Sequence, residues 1–179
     1  MSSASIVRPA ISDDRSELWR LFKLHHAENG LFPLSEPKVD YFLDRALTPE
    51  ALPESDTGPR GIIGVIGPIK ALEGVIMLVL GRPWYSEDIT MDDAVNFVDP
   101  QHRQSNHART LLAYAKHIVD SIRANHPDFK MIAGIVSTVR TAAKVRLYHR
   151  EFPNSLVGAY FMYPASADHI PIKNSFRMR

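Results

Sequence analysis

The chain has 179 residues, 45% of them hydrophobic and 23% charged, which is enough apolar material for one globular domain over residues 1–179 with a substantial core. Lys plus Arg total 21 against 20 for Asp plus Glu, and the pI is about 8.1, so no strong field exists for nucleic acid or an anionic membrane. The absence of cysteine excludes disulfides, thiolate metal ligands and thiol nucleophiles. Residues Met1–Ser5 carry no basic stretch leading into an apolar run, and no segment reaches the roughly 18 uninterrupted apolar residues of a membrane span, so the expected location is cytoplasmic.

Ile6–Pro9 reads as a short strand. Asp13, Asp14 and Glu17 then place acid at the start of a run with Leu18, Leu21, Phe22 and His25, a helix-start signal. A second helix is expected over Glu36–Leu47, because Pro37 suits a first turn and Val39, Phe42, Leu43, Ala46 and Leu47 recur at helical spacing. Thr48–Arg60, with Pro49, Pro53, Gly58 and Pro59, has little to bury and reads as a mobile surface loop.

Ile62–Ile66, Val75–Leu80 and Ala94–Val98 are apolar, β-branched clusters with short connections, which predicts three neighbouring antiparallel strands. Asn106–Asn125 is the clearest helix, with Leu111, Leu112, Ala115, Val119 and Ile122 on one stripe. Met131–Val136 reads as a buried strand, Thr141–Glu151 as a helix and Leu156–Tyr163 as a last strand. The fold class is therefore α/β, and the basic tail with Lys173, Arg177 and Arg179 reads as a frayed terminus.

The chemistry concentrates where a strand turns straight into a helix, from Asn96 to Leu112. Such a loop aims unpaired backbone N–H groups at one point and adds the positive end of the helix dipole, which suits phosphate. Asn106 sits where the chain must turn, and Asn tolerates a left-handed backbone, so it can replace a glycine there; Ala108 allows close approach. The plain alternative is an ordinary strand-to-helix turn.

Val98, Pro100, Arg103, Asn106, Ala108, Leu111 and Leu112 stand in register with the pattern V-x-P-x-x-R-x-x-G-x-G/A-x-x-L-L, with Asn106 in place of the first glycine. In this the chain resembles the GNAT acyltransferase superfamily. The resemblance implies a single domain with a mixed, mostly antiparallel sheet flanked by helices, and acetyl-CoA as co-substrate. It implies that backbone amides from Arg103, Gln104, Ser105, Asn106, His107 and Ala108 hold the pyrophosphate, with Phe97 and Val98 pairing with the pantetheine arm where the fourth strand splays from the fifth. A second family pattern, N-x-x-A-x-x-L-Y, meets Thr141, Lys144, Leu147 and Tyr148, so Thr141 and Lys144 are departures while Leu147-Tyr148 matches. The resemblance makes Thr141 a cofactor contact and Tyr148 the acid for the departing thiolate. A phenol suits that task, since its pKa of about 10 keeps it protonated at neutral pH. Val145, Tyr148 and Phe152 also share a helix face, so a packing role for the tyrosine stands beside the catalytic one.

Glu73, Glu87, Asp88, Asp92 and Asp93 are the carboxylates from which a proton acceptor can come, and the residues do not single one out. Trp84-Tyr85 can line an acceptor site. His25, His26, His102, His107 and His117 show no ligand set in sequence, so no metal is expected. The expected activity is direct N-acetyl transfer to an amine on a small molecule or protein, with a homodimer as the common default. The rival is a GNAT-like binding or structural module; the W-Y-S and R-Q-S-N-H-A segments look similar to bacteriophage and bacterial GNAT-like variants.

Overall fold

The computed structural model describes residues 6–51, 58, 60–134 and 140–157. The chain runs β1 (Arg8–Pro9), α1 (Arg15–Asn29), α2 (Glu36–Leu47), β2 (Arg60–Ile66), β3 (Gly74–Gly81), β4 (Thr90–Val98), α3 (His107–Arg123), β5 (Lys130–Ala133) and α4 (Thr141–Glu151), with short 3-10 turns before α1, after α2 and after β4. The strands form one sheet in the order β1-β2-β3-β4-β5; the first four are antiparallel and β5 runs parallel to β4. This is the expected mixed, mostly antiparallel α/β arrangement. The expected first strand is shorter than Ile6–Pro9, because Ile6 stays exposed and only Arg8 and Pro9 pair with β2.

Helices α1 and α2 cover one face. Leu18, Leu21, Phe22 and Leu43 are buried there against Ile63, Val65, Val75, Val95 and Phe97 of the sheet. Helix α3 covers the other face, where Leu111, Leu112, Ala115 and Val119 pack on Ile66, Ile76, Leu78, Met91 and Val98. Each fully buried Leu or Ile contributes about 1.5–3 kcal/mol by leaving water, so the two faces of the sheet hold it together far more than helix propensity does. Close approach of α3 relies on Gly64, where a Cβ would lie 2.6 Å from Cε1 of Tyr114.

Strand β4 begins four residues earlier than the sequence suggests. Thr90–Asp93 pair with both β3 and β5, and this two-sided pairing accommodates the polar Asp92 and Asp93 that hide the strand in sequence. Opposite β3, Met77 pairs with Val95 and Leu78 with Asp93, so Ala94 is an extra residue. This bulge inverts the alternation of β4. Before it Met91 faces the α3 core; after it Val98 does, while Val95 and Phe97 face α1. The parallel pairing with β5 covers only Thr90–Asp93, leaving Ala94–Val98 outside that ladder.

The expected strand over 156–163 falls outside the described residues except for Leu156 and Val157, as do the tail residues Lys173, Arg177 and Arg179, the end of the 131–136 strand and most of the 48–60 loop. Among the described residues no helix is long and apolar enough to cross a membrane.

Candidate active site

A cavity of about 750 Å³ opens where β4 leaves β5, with α4 forming a wall and the end of α1 reaching its rim. Of the residues singled out in sequence, Phe97, Val98, Arg103, Ser105, Ala108 and Tyr148 line it, whereas Gln104, Asn106, His107 and Thr141 do not. Trp84 and Tyr85 stay outside too: they pack edge to face on each other and are 95% and 75% exposed.

The polar centre of the cavity follows from the bulge. Asp93 and Asn96 are an odd number of residues apart and would face opposite sides of a regular strand; the extra Ala94 turns both toward α4. The Tyr148 hydroxyl donates to Asp93 Oδ2. The other carboxylate oxygen, Asp93 Oδ1, and Asn96 Nδ2 are shut from solvent and make no hydrogen bond among the described residues. Burial pushes the Asp93 carboxyl up to about 6, although the Tyr148 hydrogen bond pulls it back. Burial also raises the Tyr148 phenol, and the neighbouring Asp93 charge raises it further. At neutral pH the pair is a carboxylate and a protonated phenol, with acceptor capacity left over at Oδ1.

The other carboxylates lack this contact. Glu87 pairs with Arg82 on the surface, and Glu73 lies against His102 and His107. Asp92 lines the same cavity with its carboxyl raised by burial but without the phenol contact. Nothing in the sequence sets Asp93 apart from these carboxylates, because a bulge carries no residue signature.

The β4–α3 loop is held from within. Asp99 caps its 3-10 turn, accepting from Gln101 N at 2.9 Å and from Arg20 Nη1 at 2.5 Å. Burial raises the Asp99 carboxyl, but those donors outweigh it and hold the group below its usual range. The Ser105 amide donates to His102 O at 3.0 Å and the His107 amide to Ser105 Oγ at 3.2 Å. The first helical bond of α3 is Thr110 N to Asn106 O, so Ala108 and Arg109 in the first turn have amides with no backbone acceptor among the described residues. Asn106 lies at φ −86° and ψ 9°. The expected left-handed turn at this position is therefore corrected: the preceding 3-10 turn already reverses the chain. A left-handed residue does occur at Arg140, φ 58°, which enters α4 on the cavity rim.

Arg103 folds inward. Its guanidinium pairs with Glu28, lies over the Phe97 ring at 5.5 Å, and donates through Nε to Val98 O at 3.4 Å. His25 packs edge to face on the same ring, and its burial, with Lys144 nearby, lowers it to about 4, so it is neutral at pH 7. Lys144 Nζ reaches Asn29 Oδ1 at 2.8 Å, linking α4 to the end of α1; burial lowers its pKa.

Three groups that show no ligand spacing in sequence come together in the fold. Glu73 lies far from His102 and His107 in sequence, yet donor atoms of the three come within 4.8 Å of one another, because the strand ends bring the turn before β3 beside the β4–α3 loop.

The chain has the GNAT acetyltransferase fold. Among solved structures it is similar to AAC(6')-Iy in complex with the bisubstrate analog CoA-S-monomethyl-acetylneamine, with a TM-score of 0.61, 12% identity, and coverage of 92% of this chain and 100% of that one. It is also similar to an aminoglycoside acetyltransferase from an uncultured soil metagenomic sample in complex with trehalose, TM-score 0.59, 11% identity, covering 90% of this chain and 95% of that one. The ribosomal-protein-alanine N-acetyltransferase of Brucella melitensis biovar Abortus 2308 matches with a TM-score of 0.56 and 13% identity, covering 91% and 99%. No family model and no curated protein matches the sequence.

Proposed function

We propose that the protein is an N-acetyltransferase that moves an acetyl group from acetyl-CoA to an amine-bearing small molecule or protein, acting in the cytoplasm. The observation that carries this reading is the enclosed Asp93–Tyr148 pair, which faces a cavity bounded by the open stretch of β4 and lined also by Ala108 in the first turn of α3. The unpaired amides at the start of α3 supply donors for the pyrophosphate, with Gln104 and Asn106 contributing backbone rather than side chains, while the His107 amide, held by Ser105 Oγ, fixes the shape of the loop. The backbone at Phe97 and Val98 orients the thioester arm, and Thr141 serves at the start of α4.

Transfer is direct, since the chain has no cysteine and no other nucleophile is activated among the described residues that line the cavity. A neutral amine attacks the thioester carbonyl; the new C–N bond forms as the C–S bond breaks. The amine proton passes to the Asp93 carboxylate and the Tyr148 proton to the departing sulfur, after which Asp93 returns its proton to the tyrosinate. The pair thus moves one proton from nitrogen to sulfur and ends as it began. Holding both groups in one hydrogen bond removes a solvent exchange from each turnover.

A release assay for free CoA thiol tests the reading, run with a panel of amines. Because one of the fold's neighbours is named an aminoglycoside acetyltransferase and another a ribosomal-protein-alanine N-acetyltransferase, aminoglycosides and peptides with a free N-terminal alanine make a sensible first panel. Release above the hydrolysis rate with any amine supports transfer. A second reading, a GNAT-fold binding module, draws on Lys144: it stands where the family pattern has alanine and projects into the cavity toward Asn29. CoA binding separates the two, because the module reading predicts none.

A further inference from the structure

Glu73 approaches the β4–α3 loop from the turn before β3. Its main-chain carbonyl accepts from Asp99 N at 2.8 Å, and its carboxylate Oε2 lies 2.6 Å from His107 Nε2 and 3.5 Å from His102 Nδ1. The two imidazoles stack with centroids 6.1 Å apart. The side chain of His107 is 6% exposed, while those of Glu73 and His102 are 30% and 41% exposed, so a buried nitrogen closes the bottom of the cluster and its top opens to solvent. None of the three lines the Asp93–Tyr148 cavity.

Two imidazoles and one carboxylate with a solvent-facing fourth position form a donor set suited to a zinc-like ion. Ligands at about 2.0–2.2 Å around a tetrahedral ion stand about 3.4 Å from one another. The Glu73–His102 spacing already meets that, and the Glu73–His107 spacing opens to it when the half-open carboxylate swings outward. We propose that Glu73, His102 and His107 bind one divalent transition-metal ion, which ties the turn before β3 to the root of the β4–α3 loop. The bond balance is simple: the ion takes the place of the hydrogen on His107 Nε2, which moves to Nδ1. That nitrogen is buried without a hydrogen-bond partner among the described residues, and the start of α3 opposes positive charge, so binding is weaker than at closed four-ligand sites.

The test uses the full chain, freed of any affinity tag and treated with chelator. Calorimetry with zinc chloride, visible spectra with cobalt(II), and thermal midpoints with and without zinc are compared for the wild type, His102→Ala and Glu73→Gln. The expected result is one zinc per chain in the wild type, a tetrahedral cobalt spectrum, a midpoint that rises with zinc, and at least tenfold weaker binding in each variant. No zinc uptake by the folded wild type overturns the proposal. Equal uptake by wild type and His102→Ala overturns it too, since the ion then sits on other histidines of the chain.

Discussion

Asp93 and Tyr148 meet across the cavity, the carboxylate carried by β4 just before its bulge and the phenol by the third turn of α4. Their hydrogen bond joins the two candidate proton-transfer groups into one unit. If that unit works in the transition state, Tyr148→Phe lowers kcat by about 10- to 100-fold while leaving the Kd for CoA within about twofold. Steady-state kinetics beside calorimetry checks this; an unchanged kcat reduces Tyr148 to packing.

The pH profile supplies a second test. Asp93 accepts a proton only when ionised, so activity rises with pH through about 6, the value to which burial lifts the carboxyl. Tyr148→Phe removes the hydrogen bond that favours the carboxylate, and the acidic limb of its residual activity moves to higher pH. A profile that does not move shows that another group limits the rate.

Asp93 also carries a stability cost. Its folded pKa of about 6 lies above the ordinary carboxylate value of 3.8, so the folded state holds a proton that the unfolded chain gives up first. The folded state is therefore favoured below pH 4 with respect to this group, and that advantage is lost as pH rises toward 6, a change of about 3 kcal/mol. Asp93→Asn removes the cost: the variant is more stable than wild type at pH 7–8 by about 1–3 kcal/mol, and the gap closes near pH 4. Urea melts at the two pH values measure it, and a gap independent of pH contradicts the assignment.

Much of the architecture was legible because its elements bury one stripe. The bounds Glu36–Leu47 and Thr141–Glu151 follow from apolar spacing and polar flanks, and the strand-to-helix turn from the order of Val98, Pro100 and Ala108. The site's chemistry was less legible. Nothing about Ala94 marks it as a bulge, yet that one residue decides that Asp93 and Asn96 share a face. Glu73 meets His107 only because Asp99 and Glu73 end neighbouring strands. The left-handed conformation expected at Asn106 does not occur there, since reversal after β4 is accomplished by a 3-10 turn capped by Asp99.

That geometry changes the outlook for the loop. With φ at −86°, Asn106 gains nothing from glycine, and Asn106→Gly leaves CoA affinity within about twofold. Ala108→Glu places a carboxylate on the cavity wall at the start of α3 and weakens CoA binding at least tenfold, about 1.4 kcal/mol. Equal affinity in the Glu variant contradicts the placement of the pyrophosphate.

Lys70 is exposed in the β2–β3 turn at φ 71°, a conformation that costs an L-residue free energy and glycine almost none. Lys70→Gly raises stability by about 0.5–1 kcal/mol after the extra freedom of the unfolded glycine is subtracted. Chemical denaturation checks the sign.

The most direct measurement is calorimetric titration of the folded protein with acetyl-CoA and with CoA, because it needs no knowledge of the acceptor. The account predicts one site per chain with micromolar affinity, about −8 kcal/mol. An absence of binding to both, in protein shown to be folded, contradicts the acetyltransferase reading and favours a protein that works by binding a partner.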